Sequence, residues 1–359
     1  MDEPPLSKSP SCASHANSDA MKHGFSDMEE RDAGRQPVGG VDGQPGYFER
    51  ELPELFAKAK AGGSSPAEPV TFATGATYHG GWERGRRHGF GRMGWPDGTM
   101  YEGQWKDNRA DGIGRFTHSN GDTYIGQWQN NVAHGSGSYY RKHSLSYAGE
   151  WRNDLQHGFG IECWTGDSAR YEGEFRDGLK DGHGMCAWAD GSQYLGTWSA
   201  GQIAGLGLYT GGDKHWFKGS WSDSIKHGYG LFVGADGREF RGQWVHDKKE
   251  GFGTCLWPDG KRYIGWWKDG KPHGNGKLCS PEGRTTHGHW IRGRRIGGEA
   301  LHSGSGSAIS QSSSTCTASL STPRSILKSP RQTGLAAIKA PAPLMKPVRE
   351  RRVNIDPST

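Results

Sequence analysis

A 23-residue period runs from Tyr78 to Gly297, and no other feature limits the fold so sharply. Aligned on an aromatic residue, its copies begin at Tyr78, Tyr101, Tyr124, Tyr147, Tyr171, Tyr194, Phe217, Phe240 and Tyr263, with a degenerate tenth at Thr286. Four residues after each start stands a second aromatic: Trp82, Trp105, Trp128, Trp151, Phe175, Trp198, Trp221, Trp244 and Trp267. A fixed period of this length means a linear array in which each unit packs mainly on its neighbours. Such a chain is built to hold things rather than to convert them.

The units read as β-hairpins. In Tyr101-Glu-Gly-Gln-Trp105 the aromatics alternate with other residues, the period-two pattern of a strand with one packed face. Gly103 lies between them on that face and leaves space for rings from adjacent units. Lys106–Asp111 is polar turn chemistry, Gly112-x-Gly114 opens a second strand ending at Phe116, and Asn120-Gly121 is a favoured tight-turn pair. The expected fold is all-β: an elongated single-layer ribbon of antiparallel hairpins over residues 75–300. About twenty strands at roughly 4.8 Å each would extend on the order of 95 Å. Altered curvature is expected after repeats three, four and six, where His143-Ser144, an extra residue before Tyr171, and Asp213-Lys214 break the pattern. A bare aromatic face on so thin an object calls for cover by twist, by a helix or by a second chain, so a homodimer is one expectation.

Outside the array the chain is lean. All 15 Trp lie between Trp82 and Trp290, and hydrophobic content is 32%. Residues 1–46 are acidic and rich in Ser, Pro and Gly, and residues 301–359 are basic; both read as disordered. Net charge is −5 before residue 75, +4 over the array and +6 after residue 300. In residues 47–63, Phe48, Leu52, Leu55, Phe56 and Ala59 recur at helical spacing, with Pro53 confined to a first turn. This segment reads as a short amphipathic helix capping the open end of the array, or alternatively as a membrane-surface or partner helix. With no sequon, no signal-type apolar stretch and no apolar run near 18 residues, the chain is expected to be intracellular and soluble.

Candidate chemistry is sparse. The six Cys form no C-x-x-C pair, and four lie on strand-like parts of repeats. His88, His134, His157, His227 and His273 recur at one repeat position, but Asp111, Asp181, Ala204 and Glu250 replace them elsewhere. That substitution pattern favours a turn anchor over a metal ladder. Gly89-x-Gly91-x-x-Gly94 spells a dinucleotide fingerprint without the helix that would present amides to a pyrophosphate. No catalytic constellation, metal site, cofactor or nucleic-acid partner is expected. Arg84/Arg86/Arg87 and Arg292/Arg294/Arg295 read as solvated turns, with anionic lipid headgroups as the alternative contact.

Tyr78-x-Gly80-x-Trp82-x-x-Gly85-x-x-His88-Gly89-x-Gly91 and its counterpart from Tyr263 to Gly276 resemble the MORN repeat (membrane occupation and recognition nexus) at every fixed position. The resemblance implies antiparallel β ribbons that serve cytoskeletal, ciliary or membrane-junction scaffolds, and hence a cytoplasmic, cytoskeletal, axonemal or membrane-peripheral site. In the tail, Ser325-Ile326-Leu327-Lys328 resembles the SILK docking motif for protein phosphatase type 1. Arg352-Val353-Asn354-Ile355 resembles its RVxF companion, with Ile355 in place of the aromatic. Ser329, before Pro330, is the expected regulatory phosphosite, since its phosphate would repel an acidic rim. The expected function is a non-catalytic scaffold. Its aromatic ribbon would bind a cytoskeletal, axonemal or membrane-associated structure, and its tail the phosphatase catalytic subunit. The alternative is an anionic-phospholipid tether with no phosphatase role.

Overall fold

The computed structural model describes residues 46–60, 69–142, 145–164, 166 and 168–296. All of them belong to the unit that ends at His302; the second unit, Ser303–Thr359, contains none. Within the described residues, one sheet holds 21 strands, and each strand pairs antiparallel with its neighbours in sequence. The chain is therefore a meander, with nine full hairpins and a shortened tenth at Thr285–Ile291 and Arg294–Ile296.

Each hairpin turns more tightly than the polar stretch Lys106–Asp111 implies. The strand Met100–Lys106 is followed directly by Arg109–Thr117, so the turn is two residues long. Asp107 (φ 48°) and Asn108 (φ 73°) both adopt the left-handed conformation, which matches the twist of the strands they join. Strand pairing thus starts before the Gly-x-Gly pair and buries Ala110 on the aromatic face, opposite Trp105. At the three irregular joints the ladder continues, through Arg141↔Leu145, Trp164↔Ala169 and Thr210↔Trp216. Lys214 takes the left-handed turn conformation in place of a glycine (φ 71°).

The aromatic face is packed by its own rings. Tyr101 meets Trp105 of its own repeat at 5.0 Å and Trp128 of the next at 5.4 Å, both edge-on, and this relation recurs along the sheet. Gly103 and Gly114 sit opposite each other, and the ring of Tyr101 itself, not one from a neighbouring unit, folds back over them. Its hydroxyl donates to the Gln104 carbonyl (2.9 Å), while Trp105 Nε1 donates to the Gly91 carbonyl of the preceding repeat (3.1 Å). The first-position rings from Tyr78 to Tyr263 are all fully buried within a single chain. Cover by a second chain is therefore not needed, which removes the physical argument for a dimer along this face.

Turns are stitched to the preceding hairpin. The Asn108 N–H donates to the Arg87 carbonyl (3.0 Å), and the Asn108 side chain accepts from the Arg87 N–H (2.8 Å). Asn131 does the same for Ala110, and Asp154 for Ala133 at 2.6 Å. Asp154 puts a charge where Asn108 and Asn131 are neutral, and burial, against the Ala133 N–H bond, pushes its carboxyl up to about 6. An unfolded Asp titrates near 3.9, so folding binds an extra proton between those values and stability falls as pH rises through them. Asp154→Asn is expected to raise stability at pH 7 by about 1–3 kcal/mol, with the gain vanishing below about pH 4. Denaturant titrations at the two pH values would show it.

Residues 46–60 form a strap across the aromatic face of repeats one to three. After a turn at residues 47–50 the helix Leu52–Lys60 begins, with Pro53 and the acidic Glu54 in its first turn. The strap does not line the open edge expected of a cap, since the edge strand there is Val70–Thr71, paired with Thr77–Tyr78. Phe48 instead packs edge-on against Tyr101, Trp105 and Trp128 at 5.1, 5.7 and 5.5 Å.

Candidate interaction surface

Because strands alternate, every repeat has an outward set of side chains opposite the buried rings. Trp266 and Trp267 show the division: Trp267 is 5% exposed and Trp266, its chain neighbour, 53%. The aromatic framework expected to touch a partner is thus buried, and the large exposed side chains stand on the opposite face. Two outward rows run across the strands. One passes through Leu195, Leu208, Lys218, Leu231, Arg241, Thr254, Ile264 and Lys277, each the cross-strand partner of the next. The other uses the residue between the two glycines of each Gly-x-Gly, giving the pairs Leu206↔Ser220, Tyr229↔Gln243 and Phe252↔Trp266.

These rows form a strip over repeats six to nine. Leu195, Leu206 (70% exposed), Tyr229, Phe252 and Trp266 all project into solvent. The charges among them are Lys218, Arg241 and Lys277, with no carboxylate on either row. The same rows in the first five repeats are mixed, with Arg92, Glu102, Arg115, Glu150, Glu172 and Glu174. There the row position three residues after each repeat's first aromatic does a structural job: Gln104 and Gln127 accept from the Ile113 and Ser136 N–H groups (2.7 Å each) and pin the bulge of their hairpins. A largely apolar strip whose own charges are lysine and arginine, with Glu250 at its margin opposite Gln243, favours an anionic partner that also offers apolar depth. It disfavours the same strip of a second copy, whose cations would meet like charge.

Other candidate residues fall as follows. His88 and His157 face Glu83 and Asp177 at 3.4 and 3.6 Å, while His227 lies against His246. The turn anchor is made where acids replace histidine: Asp111, Asp181 and Glu250 accept from the Asn130, Ala200 and Asp269 N–H groups. Among the described residues no group of three His, Cys, Asp or Glu converges as a metal site would require. Gly89, Gly91 and Gly94 lie within the strand Arg86–Gly94, and Cys163, Cys186, Cys255 and Cys279 are not in disulfides. Arg87 leaves its basic cluster and is buried inward, over the Trp105 ring at 4.3 Å. Arg292, Arg294 and Arg295 are exposed. Ser325, Ile326, Leu327, Lys328, Ser329, Arg352, Val353 and Ile355 lie outside the described residues.

The period is also recognised by comparison. The family model for the MORN repeat matches nine segments, 78–100, 101–123, 124–142, 147–168, 171–193, 194–215, 217–237, 240–262 and 263–283, more than half of the chain. The chain is a MORN repeat protein. It is accordingly a repeat scaffold for membrane or protein binding, built from a non-catalytic module. No curated protein matches it. Among solved structures it is similar to a mutant of the TCP10 domain of Danio rerio CPAP (TM-score 0.29, 11% identity, 62% of this chain and 100% of that one). It is also similar to the SAS-4 TCP domain of Drosophila melanogaster (TM-score 0.16, 10% identity, 63% and 93%) and to virginiamycin B lyase from Staphylococcus aureus (0.13, 10%, 61% and 68%). Likenesses at these TM-scores carry no argument about this MORN protein.

The outward strip was not visible as a site in the sequence. Its signal is the residue between the paired glycines, which is apolar in Phe90, Ile113, Phe159, Leu206, Tyr229 and Phe252.

Proposed function

We propose that this MORN protein is a non-catalytic scaffold that rests the outward strip of repeats six to nine on an anionic membrane-associated surface and recruits protein phosphatase type 1 through its tail. The observation that carries the first half is the outward apolar strip, with Leu206, Tyr229, Phe252 and Trp266 exposed and Lys218, Arg241 and Lys277 as the charges on its rows. Aromatic and leucine side chains enter the headgroup region while the cations meet its phosphates. The second half rests on Ser325–Lys328 and Arg352–Ile355 in sequence, two short segments whose effects multiply on one chain.

One experiment tests both halves: sedimentation of the full chain and the phosphatase catalytic subunit with vesicles of phosphatidylserine and phosphatidylcholine. The phosphatase is expected in the pellet only when the chain is present, and not with phosphatidylcholine alone. Phe252→Ser/Trp266→Ser should release both proteins, and Ile326→Ala/Leu327→Ala the phosphatase alone. If the chain stays in the supernatant with anionic vesicles but sediments with polymerised microtubules, the surface is cytoskeletal instead. Pelleting unaffected by the Ile326/Leu327 change would remove the SILK-like segment from the reading.

A further inference from the structure

Nine residues after each repeat's first aromatic, one side chain faces inward beside the second aromatic of the same hairpin. In order these are Arg87, Ala110, Ala133, Gln156, Lys180, Ile203, Lys226, Lys249 and Pro272. Where the residue is long and cationic it lies over the rings: Arg87 over Trp105, Lys180 over Tyr171, Lys226 over Trp221, Lys249 over Trp267. Only repeats two and three carry alanine there, and both lie under the strap, which also reaches repeat one at Arg87 and Trp95. Phe48 seats on Tyr101, Trp105 and Trp128, rings that an alanine cannot reach. The strap is thus a peptide bound to a niche that the array leaves open.

The recognition chemistry is legible from the bound segment. Phe48, Glu51 and Leu55, at i, i+3 and i+7, are buried to 2, 1 and 0% exposure. Glu51 faces the charge of Arg87, whose guanidinium also donates to the Phe48 carbonyl (3.2 Å). Glu51 and Glu54 accept from Thr74 Oγ1 and the Ala73 N–H at 3.0 and 2.8 Å, and Tyr47 donates to Asp97 at 2.7 Å. Yet the fit is incomplete. Phe56 remains 54% exposed on the rim of a cleft of about 880 Å³, which is also lined by Leu52 and Ile113 and by charges of both signs, Arg86, Lys106 and Arg109 with Asp107 and Asp111. The sequence joining strap to sheet is Ala61-Gly-Gly-Ser-Ser-Pro-Ala-Glu68.

We infer that the strap is an intramolecular competitor, and that the niche over Ala110 and Ala133 receives a partner protein's amphipathic helical segment. That segment presents an aromatic, a glutamate and a leucine at the spacing of Phe48, Glu51 and Leu55. The carboxylate is required because Arg87 is buried there, and the open cleft beside Phe56 gives a longer segment contacts the strap does not make. A second copy's strap offers only what the chain's own already supplies, and the chain's own has an effective concentration of roughly millimolar through its short linker.

The test uses a fluorescein-labelled peptide of residues 45–60 and the full chain, read by anisotropy. Wild type is expected to bind it weakly, because its own strap competes. Phe48→Ala/Leu55→Ala should bind it about 10–100-fold more tightly, and a peptide carrying Glu51→Lys should lose the gain. As that variant changes core residues, a second chain with a protease site inserted between Gly62 and Gly63 keeps the wild-type niche. After cleavage its strap should be exchanged by excess peptide. A folded strap-released variant that binds no peptide, or a cleaved strap that never exchanges, would make the strap a permanent structural element and overturn the proposal. A concentration-dependent dimer of the strap-released or wild-type chain, abolished by free peptide, would also overturn it, by assigning the niche to a second copy.

Discussion

Lys180→Met is expected to destabilise the array by about 3–5 kcal/mol, far more than the loss of a surface lysine. Lys180 Nζ stands 3.0 Å from Glu162, whose side chain is 1% exposed. The ammonium also lies 4.6 Å from the Trp164 ring centre and 5.3 Å from that of Tyr171. Glu162 occupies the inward position that other repeats fill with Met93, Phe116, Tyr139, Cys186 or Tyr209. It is the one acid in that column, and the next repeat answers with a lysine. Removing the lysine leaves a carboxylate among aromatic rings, with its desolvation cost unmet.

The double change Glu162→Met/Lys180→Met separates this mechanism from simple loss of packing. A buried ion pair replaced on both sides by apolar groups of similar size is commonly neutral or stabilising. The double variant should therefore recover to within about 1 kcal/mol of wild type, giving a large coupling energy in a double-mutant cycle by denaturant unfolding. If the double variant is as unstable as Lys180→Met, the lysine stem's packing on Trp164 and Tyr171 matters more than its charge. Because repeats contact only their neighbours, unfolding need not be two-state here. The shift should be read on hydrogen exchange of the strands Leu155–Trp164 to Leu179–Ala187 as well.

Much of this architecture is legible in the sequence because one rule repeats. The spacing of Tyr101, Gly103 and Trp105 gives both the strand and its packed face, and the tenth, worn copy still builds a hairpin that buries Trp290 under Tyr263. What the spacing does not give is which face meets a partner. Rings on one face read as a sticky surface until the glycine pair is seen to let each tyrosine lie flat in its own unit. Once it does, the outward residue between the glycines becomes the exposed one, although Phe90, Ile113, Ser136 and Phe159 look like filler in a turn. Turn length failed for a related reason. Asp107 and Asn108 supply both left-handed positions, so Arg109–Asp111 are free to pair as strand despite their polarity. The strap's helical spacing was plain, but its target was not. Ala110 and Ala133 acquire meaning only when their column is known to face the rings.

Gly114→Ala is expected to cost several kcal/mol, on the order of 3 or more, although alanine is ordinarily the mildest replacement for glycine in a strand. Gly114 does not need an unusual backbone conformation; it needs to have no side chain. A Cβ there would lie 2.3 Å from the Tyr101 hydroxyl oxygen and 2.6 Å from two ring carbons. The ring cannot retreat, because it is wedged edge-on between Trp105 and Trp128 with its hydroxyl bonded to the Gln104 carbonyl. Gly98 makes the opposite comparison: its φ of +88° is unfavourable for alanine, but nothing lies within 4 Å of a Cβ. Gly98→Ala should therefore cost about 1 kcal/mol of backbone strain. In a Tyr101→Ala background, itself destabilised by loss of a buried ring, the added cost of Gly114→Ala should fall close to zero, since the clashing ring is gone. Thermal unfolding of the four variants decides it. Equal costs at Gly114 and Gly98 would mean that backbone freedom, not room for the tyrosine ring, fixes glycine at this position. The reason given for the buried aromatic face, and for the exposure of the residues opposite it, would then fail with it.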